Sequence, residues 1–205
     1  MPTGRLEAFS DGVLAIIITV MVLELKIPEE EPYDLHNLIH TSGLGLLTYL
    51  LSFVYIGIYW NNHHHLFQLC NRINGSVLWA NLTLLFTLSL YPFTTAWMDE
   101  SHLARTPVVL YGVNLLMAGT AYYLLQHFMA RVPGQGEVMR EVFGRTVKEI
   151  ASIALYILGI ALAFVEPWLG LVPFATVAII WLVPDRRVEH YLETHPPVPG
   201  ETLEA

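Results

Sequence analysis

Six runs of largely apolar residues, at 8–27, 38–60, 76–97, 107–129, 147–165 and 168–183, follow one another along this 205-residue chain. A helix needs about 20 such residues to cross a hydrocarbon core. The first five runs come to that length. The sixth follows the fifth across the Glu166-Pro167 break, and the pair reads as two short spans joined by a turn rather than one re-entrant unit. The runs are continuous and rich in Leu, Ile and Ala, without the alternation of about ten residues per strand that a barrel requires. Only 14% of the residues are charged, against about a quarter in a soluble domain. The reading is an all-α membrane protein with six transmembrane helices per subunit.

Composition excludes several functions. A net charge of −8 repels phosphate, so no nucleic-acid partner is expected, and the single Cys70 rules out an internal disulfide framework or a cysteine zinc cluster. The loops are too short for a soluble catalytic domain, and no Ser/His/Asp spacing, phosphate loop or HExxH motif occurs. No enzyme, no cofactor and no metal site are expected. The first span ends in Leu-Glu-Leu-Lys-Ile-Pro without a small-residue cleavage site, so it reads as a permanent helix. The longest internal polar segment, 130–146, reads as a hairpin or short amphipathic piece. Residues 1–184 form the membrane unit, and 185–205, with Pro196, Pro197 and Pro199, are expected to be a disordered cytoplasmic tail.

Orientation follows from the basic residues. With the amino terminus inside, the inner segments hold Arg5, Arg72, Arg131, Arg140, Arg145, Lys148, Arg186 and Arg187, and the outer ones only Lys26 and Arg105. Positive charge stays on the cytoplasmic side, so both termini are expected there, in a multi-pass protein of the inner (plasma) membrane. The outer face collects Glu24, Glu29, Glu30, Glu31, Asp34, Asp99, Glu100 and Glu166. Such acids concentrate cations at a mouth or merely solvate loops; charge alone does not choose.

Polar groups at the edge of a span are costly and call for partners. Asp11 sits near the inner end of the first helix. The second helix returns to that depth with Tyr59-Trp60-Asn61-Asn62-His63-His64-His65, and the third brings Asn81 there. Ser10, Asp11, a histidine and Asn81 are therefore expected to form a cluster joining three helices, at roughly 1 kcal/mol per interhelical contact. Consecutive helical residues point about 100° apart, so His63, His64 and His65 do not converge on one ion; a structural or pH-sensing role ranks above metal binding. Asn74-Gly75 reads as a turn. On the first helix, Gly12, Ile16, Val20, Leu23 and Ile27 fall within about 80° of arc with Thr19 at its edge. That stripe either packs or lines a pore, and the residues leave both open.

The run Arg5-x-x-x-Phe9-Ser10-Asp11, continued by Gly-Val-Leu-Ala-Ile-Ile-Ile-Thr-Val-Met-Val-Leu-Glu-Leu-Lys-Ile-Pro, resembles the first helix of bacterial relatives of the lysosomal potassium channel, the transmembrane protein 175 family. The resemblance continues through Ile58-Tyr-Trp-Asn-Asn-His-His, Asn81-Leu-Thr-Leu-Leu-Phe and Leu90-Tyr-Pro-Phe-Thr-Thr-Ala, covering roughly the first half of the chain. It implies a potassium-selective channel without a TVGYG filter, assembled as a homotetramer in membrane lipid, with four first helices lining a central path for monovalent cations and K+ as the permeant ion. By residue matching, Ile16 falls on the apolar constriction, Thr19 on a hydroxyl layer tied to selectivity, and Val20 and Leu23 on further rings. Phe9, Ser10 and Asp11 match the bracing motif, with Arg5, His63, His64 and Asn81 as its partners. The competing expectation is a proton-coupled secondary transporter using Asp11 and His63. Transporters commonly show repeats and broken helices; here the motif does not recur in the fourth helix, and Pro92 is the one candidate kink.

Overall fold

The computed structural model describes residues 3–28, 31–70, 72–143 and 147–182, with side chains except at 140–143. The tail at 185–205, Glu29, Glu30, Arg145, Arg186 and Arg187 lie outside the described residues, as do the end of the sixth run and the side chain of Arg140.

Helix α1 (Gly4–Met21) continues into a 3-10 turn at Val22–Glu24. Its buried residues, Leu6, Ser10, Leu14, Ile17 and Met21, recur every three or four positions and mark the one face that meets the rest of the chain. Helix α2 (Leu35–Gln68) starts where an Asp34 carboxylate oxygen accepts from the Asn37 N–H at 2.8 Å. It overruns the apolar segment expected at 38–60 and takes in all three histidines. His63 and His64 find partners on neighbouring helices, so hydropathy understates its length. Helix α3 (Gly75–Ser89) is capped in the same way, with Asn74 accepting from the Val77 N–H at 3.0 Å. Asn74-Gly75 is thus a helix start, not the turn expected; the amide that suits a turn also satisfies an orphan N–H.

The third apolar run is two helices, α3 and α4 (Tyr91–Glu100), parted at Leu90. Pro92 supplies no N–H and its ring crowds the preceding turn, which breaks the ladder there. Helix α5 (Arg105–Ala130) carries the central core, with Tyr111, Leu115, Ala118 and Leu125 almost wholly buried. The short α6 (Gly136–Phe143) falls within the polar segment at 130–146. Helices α7 (Val147–Val165) and α8 (Pro167–Leu182) form a tight hairpin about Glu166, and α8 runs on through Pro173. Among the described residues, five helical spans are long and apolar enough to cross a membrane, counting α3 and α4 together, and α8 is the shorter sixth.

Close approach fixes the glycines of this hairpin. A Cβ on Gly159 would stand 2.4 Å from the Phe174 ring and 3.0 Å from the Gly170 carbonyl oxygen, and one on Gly112 would meet the same ring at 2.4 Å. Phe174 therefore fills the junction of α5, α7 and α8, where only hydrogen fits. At one end of the molecule the start of α1 meets the end of α2 and the start of α3. At the other, Lys26 pairs with Glu100 at 3.6 Å and the Ser42 hydroxyl donates to the Lys26 carbonyl.

Candidate functional site

Three polar links hold α1 to its neighbours. In the first, Asn81 donates to the Ser10 hydroxyl at 2.9 Å, while its carbonyl oxygen faces His63 Nε2 at 2.8 Å. The amide oxygen only accepts, so Nε2 carries the proton and Nδ1 is left a buried lone pair with no hydrogen-bond partner among the described residues. Ser10 keeps its own proton on the Leu6 carbonyl at 2.8 Å. Ser10 and Asn81 are fully buried and His63 nearly so, with the imidazole stacked on Phe67 at 4.3 Å. This chain of bonds ties α1, α3 and α2 together in a place water does not reach.

The second and third links are wetter. Trp60 donates its indole N–H to Asp11 Oδ1 at 3.1 Å. His64 Nδ1 lies 2.9 Å from Glu7 Oε1, and Gln68 approaches His64 Nε2 at 2.8 Å. Gln68 can only donate from that nitrogen, so His64 Nε2 accepts and Nδ1–H donates to Glu7. The indole of Trp60 stacks parallel to the His64 ring, 6.2 Å away. Asp11 and His63 thus hold different partners and form no pair. Glu7 was not singled out from the sequence, though it lies one helical turn before Asp11 and so faces the same neighbour.

The opposite face of α1 is bare. Ile16 is 63% exposed, with Phe9 and Val20 also open and Leu23, 78% exposed, in the 3-10 turn that follows, and a Cβ on Gly12 would touch nothing within 4 Å. The chain turns extended at Leu25, so Ile27, expected on this stripe, lies beyond the helix. In helical phase Arg5 and Phe9 join this row. Phe9, expected to brace α1 against α2 and α3, is 52% exposed, and the exposed side chain of Arg5, expected as a partner of that motif, has no ion pair or hydrogen bond among the described residues. The phase of α1 turns Ser10 inward, and its neighbour one position earlier must then turn out. Thr19 stands at the edge of the row, its hydroxyl 3.0 Å from both the Ala15 and the Ile16 carbonyl oxygens. Its proton is spent on the backbone, which leaves the oxygen lone pairs facing outward, able to accept from water or to ligate a cation.

The three histidines diverge as their helical spacing requires: His63 turns to Asn81, His64 to Glu7, and His65 stays half-buried elsewhere on α2.

Comparison with known proteins follows the same lines. The family model described as endosomal/lysosomal potassium channel TMEM175 matches residues 5–92, the stretch that holds every residue of the three links and of the bare row. The chain is 50% identical to a potassium channel of Chryseobacterium sp. (strain P1-3) over 193 residues, covering 94% of this chain and 99% of that protein. It is similar in fold to the crystal structure of a lysosomal potassium-selective channel TMEM175 homologue from Chamaesiphon minutus, with a TM-score of 0.74 and 33% identity over 88% of this chain and 96% of that one. An endosomal/lysosomal proton channel TMEM175 of Mus musculus shares 27% identity over 134 residues, which is 63% of this chain but 26% of the mouse protein.

Proposed function

The chain belongs to the TMEM175 potassium channel family, and on that premise we propose that four copies assemble into a potassium-selective channel whose central path is lined by the bare face of α1. It is an all-helical, multi-pass membrane protein of a channel family, so no catalytic chemistry is asked of it. The observation that carries the finer reading is the row Phe9, Gly12, Ile16, Val20, Leu23, with Thr19 beside it, left uncovered on a helix whose other face is pinned by three polar links.

Four Ile16 side chains around an axis make a narrow apolar ring, which closes by contact and by dewetting. A cation crossing it sheds or squeezes its water. Potassium holds its hydration shell less tightly than sodium, so such a ring favours it without carbonyl ligands. Thr19, with its lone pairs turned outward, replaces part of the lost water one helical turn further on, and Val20 and Leu23 continue the apolar wall. Ser10, Asn81 and His63, with Asp11–Trp60 and Glu7–His64, keep each α1 at a fixed rotation, so the ring keeps its radius. Residues 1–184 are the channel unit, with both termini on the cytoplasmic side.

Liposomes containing the purified protein test this directly. The expected result is passive potassium flux exceeding sodium flux, with no need for an imposed proton gradient. Ile16→Asn should wet the ring and raise sodium flux relative to potassium. Obligatory coupling to protons, a monomer in the membrane, or an Ile16→Asn protein with unchanged ion preference would each refute it.

A further inference from the structure

Away from α1, on the other side of α2, helices α2, α5, α7 and α8 enclose a pocket of about 530 Å³ of free space, part of it open to the outside. Aromatic rings dominate its wall: Tyr55, Tyr59, Tyr122, Tyr156 and Trp181. Three of their polar ends are committed to the protein itself. The Tyr55 hydroxyl donates to the Phe174 carbonyl at 2.6 Å and the Tyr122 hydroxyl to the Asn62 carbonyl at 3.0 Å. The Trp181 indole donates to Ser152 at 2.8 Å. The rings are thereby held in place, Tyr59 edge-on to Tyr122 at 6.0 Å and Tyr55 tilted against Tyr156 at 6.4 Å.

Glu149, in the first turn of α7, brings a carboxylate into the same wall. One of its oxygens is wholly buried. On the α5 side the wall is a glycine: a Cβ on Gly119 would press the Tyr156 ring at 3.3 Å and lie 3.8 Å from the Tyr59 hydroxyl. Glycine inside a helix is normally unfavourable against alanine, and here it keeps the space clear. The Trp181 ring also shows what it attracts, since the Lys148 ammonium stands 5.7 Å from its centroid.

Aromatic rings beside a half-buried carboxyl group suit a cation that is large, weakly hydrated and apolar at its surface. A potassium ion has no such surface and would find few oxygen ligands here. We propose that this pocket is a binding site for a trimethylammonium group, supplied by a free quaternary amine or by a choline headgroup of the surrounding lipid. It is separate from the ion path and does not depend on it.

Calorimetric titration of the whole protein in phosphatidylglycerol nanodiscs tests the site, with choline and its uncharged isostere dimethylbutanol as probes. Choline should bind at least about tenfold more tightly than the isostere. Glu149→Gln should narrow the gap between the two several-fold, and Ile153→Trp, which fills the cavity from α7, should abolish both while potassium flux is retained. Repeating the titration in phosphatidylcholine nanodiscs distinguishes the sources: loss of choline heat assigns the site to the lipid headgroup, unchanged heat to the free amine, and either supports the site. Equal binding of the two probes, no binding up to about 10 mM, or choline binding that survives Ile153→Trp would overturn the proposal. If Glu149→Gln does not fold, the Ile153→Trp result and the probe comparison on the wild-type chain decide it.

Discussion

Asn81→Leu cuts the dry link between α1 and the rest of the subunit, and its effect can be worked out bond by bond. Ser10 loses an incoming donor but keeps its own bond to Leu6, so its share is small, about 0.5–1 kcal/mol. His63 loses more. Its Nδ1 already lacks a hydrogen-bond partner among the described residues, the side chain is 1% exposed, and without Asn81 the Nε2 proton faces apolar packing. A stranded buried donor costs about 1–3 kcal/mol. Together the loss is about 1.5–4 kcal/mol, which in a chain of this size lowers the unfolding midpoint by roughly 3–16 °C. The midpoint can be followed as loss of the monodisperse size-exclusion peak in detergent. His63→Phe alone strands Asn81 instead, yet preserves the stack on Phe67. The double substitution removes both partners, so it should cost less than the sum of the single ones by about 1–2 kcal/mol. An Asn81→Leu midpoint within about 2 °C of wild type, or strictly additive effects, would refute the reasoning.

Other expectations are as direct. Thr19→Val removes the outward lone pairs while keeping the shape, so the potassium-to-sodium permeability ratio, read from bi-ionic reversal potentials, should fall several-fold with conductance retained. Trp60→Phe loses only a half-exposed bond to Asp11 and should shift the unfolding midpoint by the equivalent of less than about 1 kcal/mol. Gly159→Ala drives a Cβ into the Phe174 ring and should destabilise by about 1–3 kcal/mol, with Phe174→Leu restoring much of the loss. Burial pushes the Cys70 thiol up to about 12. At pH 8 the reactive thiolate is then about one part in ten thousand, so maleimide should label the folded protein hardly at all, and only near pH 12 or after unfolding in detergent should labelling become fast; rapid labelling at pH 8 would refute this.

Hydropathy located the apolar segments because crossing lipid demands them, and the α1 row could be drawn from helical phase alone. Where the reading fell short, the missing term was tertiary. The apolar run stops at residue 60, and α2 stays helical through Asn61 to His65 as the spacing of the histidines implied; what the run does not state is that Asn81 and Glu7 accept what His63 and His64 offer. Asn74 has the same local chemistry in a turn and in a cap, and only the helix that follows decides between them. Arg5 and Phe9 carry the resemblance to the family as clearly as Ser10 does, yet a motif does not state which face each residue takes. The aromatic pocket was beyond reach for a different reason. Tyr59, Tyr122 and Tyr156 come from three helices with no common spacing, and only the packing of those helices brings them together.

Helix α2, at 34 residues, is about 51 Å long, far beyond a hydrocarbon core of about 30 Å. A rod of that length turns small angles into large displacements: tilting it by about 5° carries one end about 4 Å relative to the other, more than the length of a hydrogen bond. Its far end is where Trp60 and His64 grip α1 and His63 holds Asn81 against it. A membrane that thins or thickens changes helix tilt, so if the bare face of α1 lines the ion path as proposed, bilayer thickness would act on that path mechanically, through a strut that never touches the ions.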